Sequence, residues 1–454
     1  MFENKKIFIL GLARSGFAAA KYLIKHNNEI VLNDGKEEDK LDKNQINELK
    51  SLGVKLVLGS HPDDLLDSSF DYLIKNPGVP IDHKYVLKAK ELGIEVINEV
   101  EMAYRLLPKA ASIIGITGTN GKTTTTTLTY EIMREAYKER VHLAGNIGYP
   151  LSSIIDKIKD DDIIVIECSC QQGENFKEFH PHVGICTNFT EAHIDFMKTY
   201  EHYKETKSRM FYAQSESDIA ILNYSNKDVM DTMKDIKSHK KYFSSKEDVN
   251  GCHLVDDKIY YYDEEVMSIN DIKIKGMHNV ENVMAAIMAV KEYNVSNEII
   301  KEVISSFKGV EHRLEYVATV NGIEYYNDTE ATNIKCCQIA LSSFTKPIIL
   351  FLGGLERGQD FNELTPFMDN VKAVIAIGQC RERVKEYANS INKDVYVYKH
   401  LCDGFDKVKD IAVSGDIVLL SPASASWDQY KECEVRGQEF KDKVNELKNQ
   451  GVIL

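Results

Sequence analysis

No uninterrupted apolar run in this 454-residue sequence approaches the roughly 18 residues of a membrane span, so no membrane segment is expected. Positive charge is in deficit: 56 Lys and Arg against 70 Asp and Glu give a formal net charge of −14. That balance argues against general affinity for nucleic acid or an anionic membrane surface. An anionic substrate would have to be gripped by locally placed Lys, Arg and backbone N–H groups. Cysteines number only nine. Neither Cys168 with Cys170 nor Cys336 with Cys337 has a second pair at zinc-site spacing. An odd, scattered set suits packed, reduced thiols in a cytoplasmic protein. The opening Met1-Phe2-Glu3-Asn4-Lys5-Lys6 leads into a short strand pattern, not a signal-peptide pattern. Internal repeats and low-complexity tracts do not stand out. What remains is an ordinary globular composition, 43% hydrophobic and 28% charged. The length suffices for about three domains of roughly 150 residues.

The most informative stretch is Gly115-Ile116-Thr117-Gly118-Thr119-Asn120-Gly121-Lys122-Thr123-Thr124. It follows the apolar Ser112-Ile113-Ile114 and precedes a helix pattern running to about Tyr137. Strand, glycine-rich turn and helix is the arrangement that cradles a nucleotide phosphate. Glycines let backbone N–H groups converge on the anion, and the helix N-terminus adds partial positive charge. Lys122 would supply a full charge on the outer phosphates, and the Thr123 hydroxyl a magnesium ligand. The strict G-x-x-x-x-G-K-[ST] spacing is not met, because its first glycine falls on Ile116. A variant phosphate loop is expected.

Three α/β segments can be read, over 1–107, 108–309 and 310–454. The first opens with the strand Lys6 to Leu10, the turn Gly11-Leu12-Ala13-Arg14-Ser15-Gly16, and a helix through Lys25. A strand Glu29 to Asn33 follows, closed by Asp34. This βαβ opening with a glycine turn and a later acid is Rossmann-like. It supports a nucleotide-sized anion near Ala13 to Gly16, not NAD in particular. A second turn, Lys75-Asn76-Pro77-Gly78, follows a strand at Asp71 to Ile74. The second segment carries strands at Ile163 to Glu167, His182 to Thr187 and Asp218 to Asn223, with a helix at Tyr200 to Tyr212. From Lys240 to Ile274 a small antiparallel addition is expected, then a helix from His278 to Tyr293. The third carries strands at Pro347 to Leu352, Ala373 to Ile377, Val395 to Tyr398 and Asp416 to Leu420. Alternating strands and helices predict mostly parallel sheets covered on both faces.

In such sheets, ligands sit beyond the carboxyl ends of strands. Glu167, His193 with Asp195, Asp328 with Thr329, and Ser421 to Ser426 all follow strand patterns. A carboxylate and an imidazole near a phosphate loop are natural magnesium-shell groups.

Taken in order, several stretches resemble the Mur ligases, the ATP-dependent amide-forming enzymes of peptidoglycan precursor synthesis. They are Gly115 to Thr124, Glu167 with Ser169, Asn188 to Asp195, Gly276-Met277-His278-Asn279-Val280-Glu281-Asn282, His312-Arg313 and Asn327 to Asn333. The stretches Gly353-Gly354-Leu355-Glu356-Arg357-Gly358 and Leu420 to Asp428 point to the branch that adds D-glutamate to UDP-N-acetylmuramoyl-L-alanine. The resemblance implies three domains: an N-terminal one for the UDP part of the substrate, a central one for ATP, and a C-terminal one for the amino acid. ATP would phosphorylate the substrate carboxylate, and the amine of D-glutamate would attack the acyl phosphate.

Site roles follow from the same resemblance. Gly118, Thr119, Asn120, Gly121, Lys122, Thr123 and Thr124 would bind ATP, with Asn279 and Asn282 at the adenine and Arg313 and Asp328 at the ribose or phosphates. Thr123, Glu167, His193 and Lys207 would hold two magnesium ions, Lys207 as a carbamate. Catalysis would rest on Lys122, Glu167, His193 and Lys207. Leu12, Ala13, Arg14, Ser15, Asp34, Gly35, Lys36, Asn76, Pro77 and Gly78 would hold the UDP group. Asn146, Ser169 and Gln172 would contact the muramoyl-alanine portion. Glu330, Thr332, Arg357 and Ser426 would lie at the amino acid. A cytoplasmic monomer is expected, without nucleic acid or membrane partners.

Two positions depart from the family text. Glu330 stands where the family has a lysine that meets the incoming glutamate, and Cys170-Gln171 replaces Ser-Phe. Either Arg357, Thr332 and Ser426 suffice, or Glu330 turns away, or the amino acid differs. A Mur-type ligase with another acceptor, and a non-catalytic paralogue binding the UDP-muramoyl peptide, are the alternatives.

Overall fold

The computed structural model describes residues 1–192 and 194–449. The chain divides into two compact units, Met1–Asp271 with Met277–Ser305, and Ile272–Gly276 with Ser306–Leu454.

The first unit contains two sheets. One has five parallel strands in the order Lys55–Leu58, Glu29–Asp34, Lys6–Leu10, Tyr72–Lys75, Glu95–Ile97. The central strand is apolar at every position from Ile7 to Leu10 because both its faces are covered. Ile7 and Ile9 enter one core layer, Phe8 and Leu10 the other. Its order reverses beside that strand, and the turns after residues 10, 34 and 75 gather at one end. That end is where such a sheet takes ligands.

The other sheet runs Glu264–Ser268, Lys258–Tyr261, Gly251–Val255, His239–Ser244, Ile219–Asn223, Val183–Cys186, Ser112–Thr117, Ile163–Glu167, Val141–Gly145. The segment expected as a small antiparallel addition continues this sheet. Its first strand pairs parallel with both neighbours, and its last three form an antiparallel meander. The polar text there reflects an outer position, half of whose side chains face solvent. The helices Lys122–Tyr137 and Met277–Lys291 pack together, and nearly every residue of the latter from Asn279 to Val290 is buried.

A buried carboxylate joins the two sheets of this unit. Glu101 is fully buried, a costly place for a charge without partners. It accepts from the backbone N–H groups of Lys177, Glu178 and Phe179 at 2.9–3.0 Å, and from Arg105 Nε at 2.9 Å. Nearby, Asn98 donates to the Gln172 carbonyl and Glu99 accepts from the Ser152 N–H.

The second unit holds a six-stranded sheet, Glu315–Val320, Ile323–Asn327, Ile417–Leu420, Ile348–Leu352, Val371–Ala376, Asp394–Val397. Its first pair is an antiparallel hairpin turning through Asn321 and Gly322, both at positive φ, and the rest is parallel. Core layers lie on both faces.

Candidate active site

The strand Ser112–Thr117 delivers the loop Gly118–Gly121 to the N-terminus of the 16-residue helix Lys122–Tyr137. Two glycines there are required. A Cβ on Gly118 (φ +141°) would lie 1.9 Å from Thr187 Oγ1, and one on Gly121 (φ +81°) 2.1 Å from Asn282 Oδ1. The loop is built from outside itself. Thr119 N donates to the Asn188 carbonyl at 2.8 Å, and Asn120 N to Asn188 Oδ1 at 3.0 Å. Asn188 Nδ2 and Thr187 Oγ1 both donate to the Asn120 carbonyl, at 3.0 and 2.6 Å. Tyr203 OH donates to Thr119 Oγ1 at 2.9 Å. Lys122 Nζ folds back onto the Thr119 carbonyl at 2.9 Å, so the ammonium stands beside the loop. Thr123 and Thr124 occupy the first helical turn, where N–H groups are not consumed within the helix. Thr187 and Tyr203 escaped the sequence reading, since nothing local marks a residue that props a loop 60 to 90 positions away.

Beside the loop, Glu167 ends the strand Ile163–Glu167 and is 1% exposed. Its Oε1 accepts from Asn146 Nδ2 at 2.8 Å, while Oε2 is buried with no hydrogen-bond partner among the described residues. A buried carboxylate oxygen without a donor is expensive, and a divalent cation is what such an oxygen suits. Lys207, on the helix Tyr200–Tyr212, is 3% exposed and donates to the Gly118 carbonyl at 2.6 Å. Burial, and then the neighbouring Lys122 charge, hold its ammonium down to about 7. A substantial neutral fraction makes it a nucleophilic amine at neutral pH. His193 lies outside the described residues.

Ser169 and Gln172 are already engaged with each other. They form a reciprocal capping box on the short helix Cys170–Gly173, Gln172 N donating to Ser169 Oγ at 3.3 Å and Ser169 N to Gln172 Oε1 at 2.8 Å. Cys170 is 2% exposed and packs with Met197 and Tyr203, so the thiol serves as a small core residue. Asn282 donates to Asn279 Oδ1 at 3.0 Å, and its own oxygen presses on Gly121. This pair therefore backs the phosphate loop.

At the first sheet, Asp34 spends its carboxylate on backbone: Leu12 N donates to Oδ2 at 2.7 Å and Lys36 N to Oδ1 at 2.9 Å. Asn76 Nδ2 donates to Ser15 Oγ at 2.9 Å, and Asn76 Oδ1 accepts from Gly78 N at 3.1 Å. Thus Leu12 to Ser15, Asp34 to Lys36 and Asn76 to Gly78 form one cluster, with Pro77 in its third turn. Arg14 reaches out to the Gly148 carbonyl, in the turn that carries Asn146. Beneath the third turn lies Lys75, fully buried, donating to the Val79 carbonyl at 2.8 Å. Burial brings its ammonium down to about 8. His61, which the sequence did not flag, sits against Gly35 with its Nδ1 on Asn33 Oδ1.

In the second unit, Asp328 accepts from Leu314 N at 3.0 Å and Ser421 Oγ at 2.8 Å, and burial pushes its carboxyl up to about 7. Arg313 lies 3.8 Å from Glu330. The Thr332 N–H donates to the Glu330 carbonyl at 2.8 Å. The Arg357 guanidinium lies over the Trp427 ring at 4.7 Å. Ser426 Oγ is buried with no partner among the described residues. Arg436, absent from the sequence reading, is 1% exposed and donates to Thr329 Oγ1, the Thr329 carbonyl and the Ser424 carbonyl at 3.0–3.1 Å. It fixes the floor on which Thr329 and Ser424 stand.

Three family models match this chain: a Mur ligase MurD-like N-terminal domain over 5–98, a Mur ligase middle domain over 116–290, and a Mur ligase glutamate ligase domain over 312–424. The chain belongs to the Mur ligase family. Among its relatives in that family are the UDP-N-acetylmuramoylalanine–D-glutamate ligases of Streptococcus agalactiae serotype Ia and Enterococcus hirae. Each is 42% identical, over 99% of both chains in the first case and over 98% of this Mur ligase and 97% of the relative in the second. The crystal structure of UDP-N-acetylmuramate-alanine ligase MurC from Thermotoga maritima shares the fold, with a TM-score of 0.59, 16% identity, and 97% of this chain and 99% of that one covered.

Proposed function

We propose that this Mur ligase joins D-glutamate to UDP-N-acetylmuramoyl-L-alanine at the expense of ATP, releasing ADP and phosphate, in peptidoglycan precursor synthesis. The observation that carries the reading is the convergence of Lys122, Lys207 and the partnerless Glu167 oxygen around the Gly118–Gly121 loop. A carboxylate is a poor electrophile, so its oxygen must first gain a good leaving group. Phosphorylation brings two anions together, and their repulsion must be offset by fixed positive charge and oriented N–H groups. Lys122 and the first-turn N–H groups would hold the triphosphate. Thr123 and Glu167, with His193 and Lys207, would hold magnesium, which when bound adds Lewis-acid neutralisation of the phosphate charge. Lys207 would serve as a carbamate: its neutral amine adds to carbon dioxide with loss of one proton, turning a cation into an oxygen ligand.

The cluster at Leu12 to Ser15, Asp34 to Lys36 and Asn76 to Gly78 would orient the UDP group. Asn146 would reach the muramoyl-alanine. Asn279 and Asn282 would set the adenine end of the loop, and Arg313 with Asp328 would serve the nucleotide. Thr332, Arg357 and Ser426 would receive the amino acid, whose amine displaces phosphate from the acyl phosphate. We place domain limits at 107/108 and 309/310, and the enzyme as a cytoplasmic monomer. The test is phosphate release across an amino acid panel with ATP and UDP-N-acetylmuramoyl-L-alanine. Turnover with D-glutamate above all others supports the reading; turnover only with another amine, or none, overturns it.

A further inference from the structure

Glutamate carries two carboxylates at the α and γ positions, so a carboxylate on the protein facing it would repel it. The direction taken by Glu330, close in sequence to Thr332, therefore matters. Its backbone is tied to the segment that bears Arg313: Glu330 N donates to the His312 carbonyl at 3.1 Å, and Leu314 N to Asp328 Oδ1 at 3.0 Å. A third tie links Asn327 Nδ2 with His312 Nδ1 at 2.9 Å. This register holds residues 312–314 alongside 327–330. The Glu330 side chain ends with Oε2 3.8 Å from the Arg313 guanidinium and Oε1 3.6 Å from the Cys433 thiol. Cys433 opens the 17-residue helix Cys433–Asn449, whose N-terminus carries partial positive charge. Burial, then the Glu330 and Glu434 carboxylates, push the Cys433 thiol up to about 12, so it stays protonated. The thiol has one proton and a nearer acceptor in Glu434 Oε2 at 3.4 Å, so the Arg313 guanidinium is the positive partner of the Glu330 carboxylate.

We infer that Glu330 is a positioning residue for Arg313, and so acts on the nucleotide and not on the incoming amino acid. Arg313 is 40% exposed, with its Nε buried and without a hydrogen-bond partner among the described residues. A carboxylate beside its guanidinium orients the group and leaves terminal N–H donors for phosphate or ribose oxygens. The inference rests on the ligase reading of Arg313 given above.

The test uses the full chain in four forms: wild type, Glu330→Gln, Arg313→Ala and the double variant, with Glu330→Lys as a fifth. Two readouts are taken: the dissociation constant of a non-hydrolysable ATP analogue, and the KM for D-glutamate. Glu330→Gln is expected to weaken the analogue by about three-fold, the scale of a partly exposed ion pair, with the KM for D-glutamate unchanged. Glu330→Lys should weaken it by roughly ten-fold, since attraction becomes repulsion. In the Arg313→Ala background the Glu330→Gln effect should vanish. A shift in the D-glutamate KM with analogue binding unmoved overturns the inference, as does an undiminished Glu330→Gln effect in the Arg313→Ala background. Glu330→Gln is isosteric and carries the test if lysine unfolds the loop. Should wild type fail to use D-glutamate, the ligase reading fails while analogue binding still decides the role of Glu330.

Discussion

The first unit contains the same local design twice, a strand leading through a glycine turn into a helix, and the two copies end in opposite chemistry. After Leu10 the Gly11 N–H donates to the Asn33 carbonyl, and the Leu12 N–H to a carboxylate of the chain itself, Asp34. After Thr117 the loop is shaped from behind by Thr187, Asn188 and Asn282, and a lysine stands beside it. The first turn thus sets one of its amides against a carboxylate of the chain itself. The second concentrates positive charge on one point. Motif geometry is shared; what differs is the sign of the charge beside each turn, Asp34 at the first and Lys122 at the second. A dinucleotide reading of the first turn fails on this ground, because Asp34, the acid such a reading assigns to a ribose, is spent on the amides of Leu12 and Lys36.

The sharpest way to break this contrast is Lys122→Ala. Loss of the point charge should lower kcat/KM for ATP by about three orders of magnitude, measured by phosphate release; a rate within ten-fold of wild type would make the two turns equivalent. Glu167→Gln keeps the Asn146 contact but removes the charge. Magnesium dependence should shift so that roughly ten-fold more metal is needed for half-maximal rate, read by titration in the presence of ATP.

Lys75→Met tests the other turn. Losing the donor to the Val79 carbonyl should raise the KM for the UDP-linked substrate by about ten-fold, leaving kcat in place. The same variant has a pH signature. The Lys75 ammonium is lowered from 10.5 to about 8 in the folded protein. Between those values the unfolded chain holds a proton that the folded chain has released, so wild-type stability rises with pH across that window. It can gain at most about 3 kcal/mol there. Lys75→Met should flatten that rise in melting temperatures taken from pH 7.5 to 10.5, and an unchanged slope would count against a buried, easily deprotonated Lys75. The smallest effect is expected from Asp34→Asn, which retains one acceptor: about three-fold in substrate KM, with nucleotide binding unaffected.

Much of this was legible in the chain text where periodicity was local. The strand Lys6–Leu10 and the helix Tyr200–Tyr212 fall where the pattern puts them. The strands Lys55–Leu58 and Val141–Gly145 were missed, both at sheet edges, where one neighbour is solvent and the apolar run is short or broken. The Rossmann-like and phosphate-loop architecture followed from the order of elements. The site was legible as residue types at strand ends, but not as contacts. Lys207 reads as a surface lysine on a polar helix, and only the fold brings it onto Gly118, 89 positions earlier. The direction of Glu330 depends on pairing between two segments that no local signal joins.

The Glu101 carboxylate has a consequence for cooperativity. It ties a helix after the last strand of the first sheet to three consecutive amides in the loop that leads to the strand Val183–Cys186 of the second. Neither sheet can melt without stranding a charge or three donors in an apolar interior, a penalty of several kcal/mol. Calorimetry should therefore record the first unit, Met1–Asp271 with Met277–Ser305, as a single endotherm, and Glu101→Ala should split it in two.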